Sequence, residues 1–401
     1  MTPRRGSRER VPRLSAELRE RETVKPLELF FDLVLVLVFT QCTALMAAQP
    51  DWSGIGHGML VLAVLWWSWV GYAWLTSVIE PEEGAVRIVM LAAMAALLVV
   101  ALCVPEAFGD QALGFAIAYG VVRLGHISLF MIASRDNPDL RHSVVTLAIS
   151  TAIAVGLLLG ASFVDGRAQV ILWVSAILVD WGSPAVFGAE GWRLVPAHFA
   201  ERHNLVIILA LGESIVALGA GTDVGLSAAV IVAAVLGMGL AAALWWIYFD
   251  VVALVTERRL VLAREGRERN ALARDSYSYL HFPMVAGIVL GAFGIEATLA
   301  HVDEPLDGVH AFALLGGTAI YLLAHVVLRL RNARSINIER LALGLVLFAL
   351  IPAALNVDAL FALGAVNLLL WAMIAYETIF VYDARRYRLR HGLEIDIPGR
   401  D

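Results

Sequence analysis

Apolar stretches of about 20 residues recur along nearly the whole chain, separated by short polar connections. At 1.5 Å rise per residue, that length crosses a hydrocarbon core of about 30 Å. Twelve such windows are read, at 27–49, 55–78, 86–104, 112–132, 143–164, 168–188, 203–221, 227–255, 276–299, 309–328, 341–357 and 359–382. The pattern predicts an all-α, polytopic transmembrane bundle. The longest connection, 256–275, is expected to be a basic linker, and none is long enough for a domain outside the membrane.

Composition agrees with the pattern. Of 401 residues, 60% are hydrophobic and 16% charged, against about 25% charged in a soluble domain. A water-soluble globule is excluded. The net charge of −6 hides a strong sorting of charge along the chain. With both termini cytoplasmic, 28 of the 30 basic residues fall on the inner side, Arg167 alone lies in an outer loop and Arg123 alone lies within a span. One missed or extra helix would scramble that separation, so the bias predicts a plasma-membrane protein with an even span number and both ends inside. The segment 1–26 holds eight basic and four acidic residues and no apolar signal region, and reads as a cytoplasmic tail, as does 384–401. Cys42 and Cys103 both fall in apolar runs, where packing is the plain reading.

The spans repeat. Asp32-LVLVLVFT-Gln41 aligns with Asn204-LVIILALG-Glu213, and Leu65-Trp66-Trp67 with Leu244-Trp245-Trp246. Met94 to Glu106 matches Met284 to Glu296, and His126 and Arg135 match His325 and Arg334. The collinear order of these short matches predicts two six-span halves, 27–189 and 190–383. An even number of spans per half gives both the same orientation, related by an axis along the membrane normal, with any pathway at their interface.

Ionisable residues are costly at the bilayer centre, roughly 2.5 to 3.5 kcal/mol each on insertion scales, so each is expected to be paired or to face a wet cavity. Arg123, Asp180 and Glu213 stand near mid-depth, with Gln41 at the position equivalent to Glu213. Arg123 requires a carboxylate, from Asp180 or Glu213; the other acid is then left without a cation and free to exchange a proton. His126 shares a helical face with Arg123, and His325 recurs in the second half; hydrogen-bonded packing or a proton relay would account for either. Glu28 and Asp32 lie one turn apart at the start of the first span, as dipole-stabilising acids or as an inner gate. The polar run Glu201-Arg202-His203-Asn204 is its second-half equivalent. His281, Glu296, Asp250 and Glu377 are placed nearer span ends, where snorkelling lowers their cost. Trp66, Trp67, Trp69, Trp74, Trp245, Trp246 and Tyr248 are read as an interfacial aromatic belt, with cavity lining as the alternative. Gly156-LLL-Gly160 and Gly287-IVL-Gly291 predict close helix contacts.

Four segments carry a family resemblance: Glu28-LFF-Asp32-LVLV, Leu211-Gly-Glu-Ser-Ile-Val-Ala-Leu-Gly219, Trp245-Trp-Ile-Tyr-Phe-Asp250 and His281-Phe-Pro-Met-Val-Ala-Gly-Ile288. Together they resemble the bacterial low temperature requirement protein A (LtrA) family of integral membrane proteins, over about 25–382. The resemblance implies a multi-span protein linked by name to growth in the cold, and no particular substrate.

The leading functional reading is a proton- or ion-coupled secondary transporter of a small solute. The alternatives are an ion channel built from the two repeats, with dimerisation around a pore, and a membrane-embedded enzyme using Glu28, Asp32 and His281 on a lipidic substrate. No GxxxxGK[ST], GxSxG or HExxH segment and no HxxxH or ExxH spacing on a span is present, so neither nucleotide hydrolysis, a metal site nor a cofactor is expected. The expected partners are the lipid bilayer, an unidentified solute or ion and, for the channel, a second copy. Nucleic acid is not expected.

Overall fold

The computed structural model describes residues 23–82, 84–186, 191–220 and 227–381. The expected tails, up to residue 22 and over 384–401, and the expected boundary between halves at residue 190 lie outside the described residues. Eleven helices are long and apolar enough to cross a membrane: α1 (Pro26–Ala48), α2 (Trp52–Thr76), α3 (Gly84–Glu106), α4 (Ala112–Ala133), α5 (Pro138–Ala161), α6 (Gly166–Val186), α7 (Pro196–Gly219), α8 (Ala228–Leu262), α9 (Arg267–Ala300), α10 (Gly308–Ala333) and α12 (Ala359–Phe380). The expected span at 341–357 is α11 (Ile338–Ala354), with 17 residues, at the short end of the spanning range of about 17 to 25. No strand occurs among the described residues. The molecule is a polytopic helical bundle.

Local chemistry sets the helix starts. Pro26 opens α1, and the Glu28 carboxylate turns back to accept a bond from the Lys25 amide at 2.8 Å while the Glu28 amide donates to the Lys25 carbonyl at 3.0 Å. Asp51, Asn137, Ser227 and Asn337 cap α2, α5, α8 and α11 through their side chains. The linker expected at 256–275 is largely helical. The ends of α8 and α9 run past the apolar spans and meet in a short turn at Gly266, whose φ of 90° suits a residue without a Cβ.

In the first half α1 packs on α2 and α3, the chain then zigzags through α3, α4, α5 and α6, and α2 touches α4 and α6. In the second, α7 packs on α8 and α9, the zigzag continues through α9, α10, α11 and α12, and α8 touches α12. The halves meet where α1 and α2 contact α7 and α9. Burial is shared unequally, because α2, α9 and α10 are the enclosed helices while α8 faces outward over much of its length.

That inequality corrects the aromatic-belt reading. Trp66, Trp67, Trp69 and Trp74 are buried inside the bundle, and only Trp245 of that set is widely exposed. Hydropathy had no means of separating them: an indole suits a lipid interface, and it suits a tight core when its N–H finds an acceptor. Trp66 and Trp74 donate to the Ser278 carbonyl at 2.8 Å and to its hydroxyl at 3.0 Å, and Trp67 stacks on Trp181 and Tyr279.

The two glycine pairs differ. A Cβ on Gly287 would lie 2.6 Å from the Gly317 carbonyl oxygen, and one on Gly317 2.9 Å from the Gly291 amide, so α9 and α10 meet backbone to backbone. Gly156 faces open space, and a Cβ on Gly160 would make only ordinary contact with Leu172. The first-half pattern therefore marks no close crossing.

Candidate functional site

Where α1 and α7 begin, four charged or ionisable side chains are sealed inside the protein. Arg202 donates from Nη1 to Glu28 at 3.0 Å and to Thr76 at 2.9 Å, and from Nη2 to Asp32. His198 Nε2 bonds Glu28 at 2.9 Å, and the Trp69 indole donates to Asp32 at 2.8 Å. Glu28, Asp32, His198 and Arg202 are each at most 1% exposed. A buried carboxylate without a cation would be strongly disfavoured; here one guanidinium serves two, and the α1–α7 contact between the halves becomes an ionic clasp. Sequence reading placed Arg202 among the inner basic residues and overlooked His198. The available signal was the need of Glu28 and Asp32 for a cation beside a helix whose first turns read Glu-Arg-His-Asn.

A second clasp lies within the first half. Arg123 on α4 donates to Asp180 on α6 at 3.0 Å and to Thr151 on α5 at 2.6 Å, while Thr151 lies 3.1 Å from the same Asp180 oxygen. Asp180 is thus the partner of Arg123, and Glu213 does not join them. A third clasp, in the second half, is the bidentate pair of Arg340 with Glu377, at 2.9 and 2.8 Å, supported by the Asn337 amide at 2.8 Å. Both members are about 95% buried, which corrects the snorkelling expected for Glu377: Arg340, which closes a loop in sequence, folds inward and neutralises it.

Glu213 on α7 is different. It is 1% exposed, and among the described residues it forms no ion pair. It lies about 16 Å along α7 from Arg202, roughly half the hydrocarbon thickness. Its partner is Thr40 of α1, whose Oγ1 stands 2.6 Å from Glu213 Oε2 and 3.3 Å from the Val36 carbonyl oxygen. The hydroxyl has one proton and two lone pairs. With Glu213 ionised, Thr40 donates to it. With Glu213 protonated, the carboxyl donates to Thr40 and Thr40 donates to Val36. Either state keeps the Thr40–Glu213 hydrogen bond without moving a heavy atom. Glu296 on α9, half-buried, is within electrostatic reach of Glu213, and half-buried Gln41 follows Thr40 on α1.

The histidines divide into two kinds. His281 bonds the Ser276 carbonyl through Nδ1 at 2.8 Å and the Tyr248 hydroxyl through Nε2 at 2.8 Å. A carbonyl only accepts, so Nδ1 carries the proton and Nε2 takes the Tyr248 proton. The same hydroxyl lies 2.8 Å from Asn204 Oδ1, a second acceptor for its proton. His126 and His325, by contrast, each line a cavity of about 50 Å³, the first beside Arg123 and the second beside Arg340. His325 bonds the Tyr321 carbonyl at 2.8 Å, whereas neither ring nitrogen of His126 has a hydrogen-bond partner among the described residues. Gly71 makes room for that ring, since a Cβ there would lie 2.7 Å from it.

The profile of the bacterial low temperature requirement A protein (LtrA) family matches residues 23–375. The chain belongs to the LtrA family. An uncharacterized protein of Rhizobium meliloti (strain 1021) is 28% identical over 370 residues, covering 88% of each chain. No solved structure matches. The four sequence segments that resemble the LtrA family have definite places in the fold. The first supplies Glu28 and Asp32 to the Arg202 clasp, the second Glu213, the third Tyr248 and the fourth its partner His281. In this LtrA protein the second half contributes to all of these contacts, through Arg202, Glu213 and the Tyr248–His281 pair.

Proposed function

We propose that this LtrA protein is a proton-coupled secondary transporter of the plasma membrane, with both termini cytoplasmic and two parallel six-span halves at 27–189 and 190–383. The observation that carries the reading is Glu213: a buried mid-membrane carboxylate with no cation among the described residues, at the seam between the halves, whose hydrogen bond with Thr40 persists with or without its proton. The buried arginines Arg123, Arg202 and Arg340 already hold carboxylates, so Glu213 is the acid with a proton to trade. The two-half reading is supported by a shared order of helix contacts and by matching details. Trp69 donates to Asp32 in the first half, and Tyr248 meets Asn204 at the aligned positions of the second. Asn137 and Asn337 cap corresponding helices. In this scheme the Arg202 clasp closes the inner end of α1 and α7, and opening toward the cytoplasm requires it to part.

The test is solute-dependent proton movement in proteoliposomes holding a pH-sensitive dye. The wild-type protein should move protons only when a transported solute is present. Glu213→Gln should abolish that movement while Glu213→Asp keeps part of it. Unitary currents in a planar bilayer without solute would replace the carrier by a channel, and full proton coupling in Glu213→Gln would remove Glu213 from the mechanism.

A further inference from the structure

At the end of the bundle opposite the Arg202 clasp, the first half opens into a cavity of about 610 Å³. Its walls come from the end of α1, the start of α2, the end of α3 and the start of α6. That volume is within the range of about 300 to 1,000 Å³ typical of small-molecule sites. Three charged residues line it: Glu106, Asp165 and Arg167. All three are exposed, and none forms an ion pair among the described residues. The observation that makes this more than a wet dent is Gln169. It lines the cavity and is 4% exposed, yet its amide makes no hydrogen bond within the described structure. Its amide atoms are not closed off from the cavity, so they are free to meet a ligand or water there. Beside it, His57 and Phe108 line the cavity and stack at 3.9 Å, with buried Trp173 stacked behind Phe108 at 4.6 Å.

We infer that this vestibule binds a small zwitterionic group. Arg167 takes the anionic end, Glu106 and Asp165 the cationic end, and Gln169 supplies a donor and an acceptor at the floor. One acid too many for the single arginine excludes a simple anion, and Arg167 disfavours a simple cation. Leu45 in the cavity wall is five residues along α1 from Thr40, about 7.5 Å, so the site lies just outside the Glu213 contact. As the solute site of a carrier it rests on the transport reading; as a binding site it does not. A free amino-acid-like solute and a zwitterionic lipid headgroup share this chemistry.

The experiment is isothermal titration of the purified full chain in phosphatidylglycerol nanodiscs. The probes are the zwitterions L-alanine, L-glutamine and glycine betaine, the cation L-alaninamide and the anion propionate. At least one zwitterion should bind saturably, with both single-charge probes about tenfold weaker or worse. Gln169→Leu and Arg167→Gln should each weaken binding about tenfold; Arg167 is exposed, so its variant tests the site without a buried change. In nanodiscs containing phosphatidylethanolamine, loss of zwitterion binding identifies a headgroup as the occupant, and unchanged binding identifies the free solute. No saturable zwitterion binding, together with no phosphatidylethanolamine retained in native mass spectra by wild type over Gln169→Leu, overturns the site. Binding that is indifferent to both substitutions, or equal for all probes, does the same. Zwitterion binding without proton-coupled uptake would keep the vestibule and remove the transport reading. Coupled uptake undiminished in both variants would do the reverse.

Discussion

Replacing Arg202 by methionine keeps much of the side-chain length and removes the charge. The cost follows from what remains. Glu28 keeps His198 and the Lys25 amide, whereas Asp32 keeps the Trp69 indole, and its Oδ2 has no hydrogen-bond partner among the described residues even with Arg202 present. Breaking a buried ion pair from one side costs about 3–5 kcal/mol, because it strands the opposite charge. Arg202 covers two carboxylates and also bonds Thr76, so Arg202→Met should fall at the upper end, about 5 kcal/mol. The assay is the reversible unfolding midpoint in mixed micelles, with Arg264→Met as control. Arg264 is 93% exposed in a pair with Glu268, and its loss should be within about 0.5 kcal/mol of neutral. The triple variant Glu28→Gln, Asp32→Asn, Arg202→Met carries no stranded charge and should recover more than half of the loss. If Arg202→Met behaves like the control, or if the triple variant is no more stable than the single one, the clasp is not holding α1 to α7 as reasoned.

Other measurements follow from the packing. Gly287→Ala forces a Cβ into the backbone of α10 and should cost about 1–3 kcal/mol in the same unfolding assay. Gly156→Ala, facing open space, should be neutral or stabilise by up to about 1 kcal/mol through helix propensity. Arg340→Lys retains the charge but loses the two-pronged grip on Glu377, and should cost about 1.5–3 kcal/mol, read as a lower unfolding midpoint. Tyr248→Phe removes the hydroxyl shared by His281 and Asn204, and should cost about 1–3 kcal/mol with an altered His281 imidazole NMR signal.

Helices and their approximate ends were legible in the chain because a span must be apolar for about 20 consecutive residues and because caps are local. Glu28, Asp32, Arg123, Asp180 and Glu213 were legible as sites for a related reason: charge inside an apolar run is expensive wherever the run ends up. Their partners were not. Arg202 and Arg340 lie at span ends, where a cation costs little, and nothing local separates one that snorkels to water from one that turns inward to a carboxylate. Helices aligned by order share no sequence signal for which face meets which neighbour.

The amino-acid sequence by itself determined a helical membrane protein, the positions of its spans and the short set of acids and histidines worth attention, since bilayer thickness and the cost of buried charge act on each segment alone. Tertiary structure decided which segments touch. It enclosed the tryptophans of α2, paired Arg123 with Asp180, gave Glu28 and Asp32 to Arg202, and left Glu213 with Thr40. Those outcomes depend on residues up to 212 positions apart, and such contacts exist only once the helices have packed.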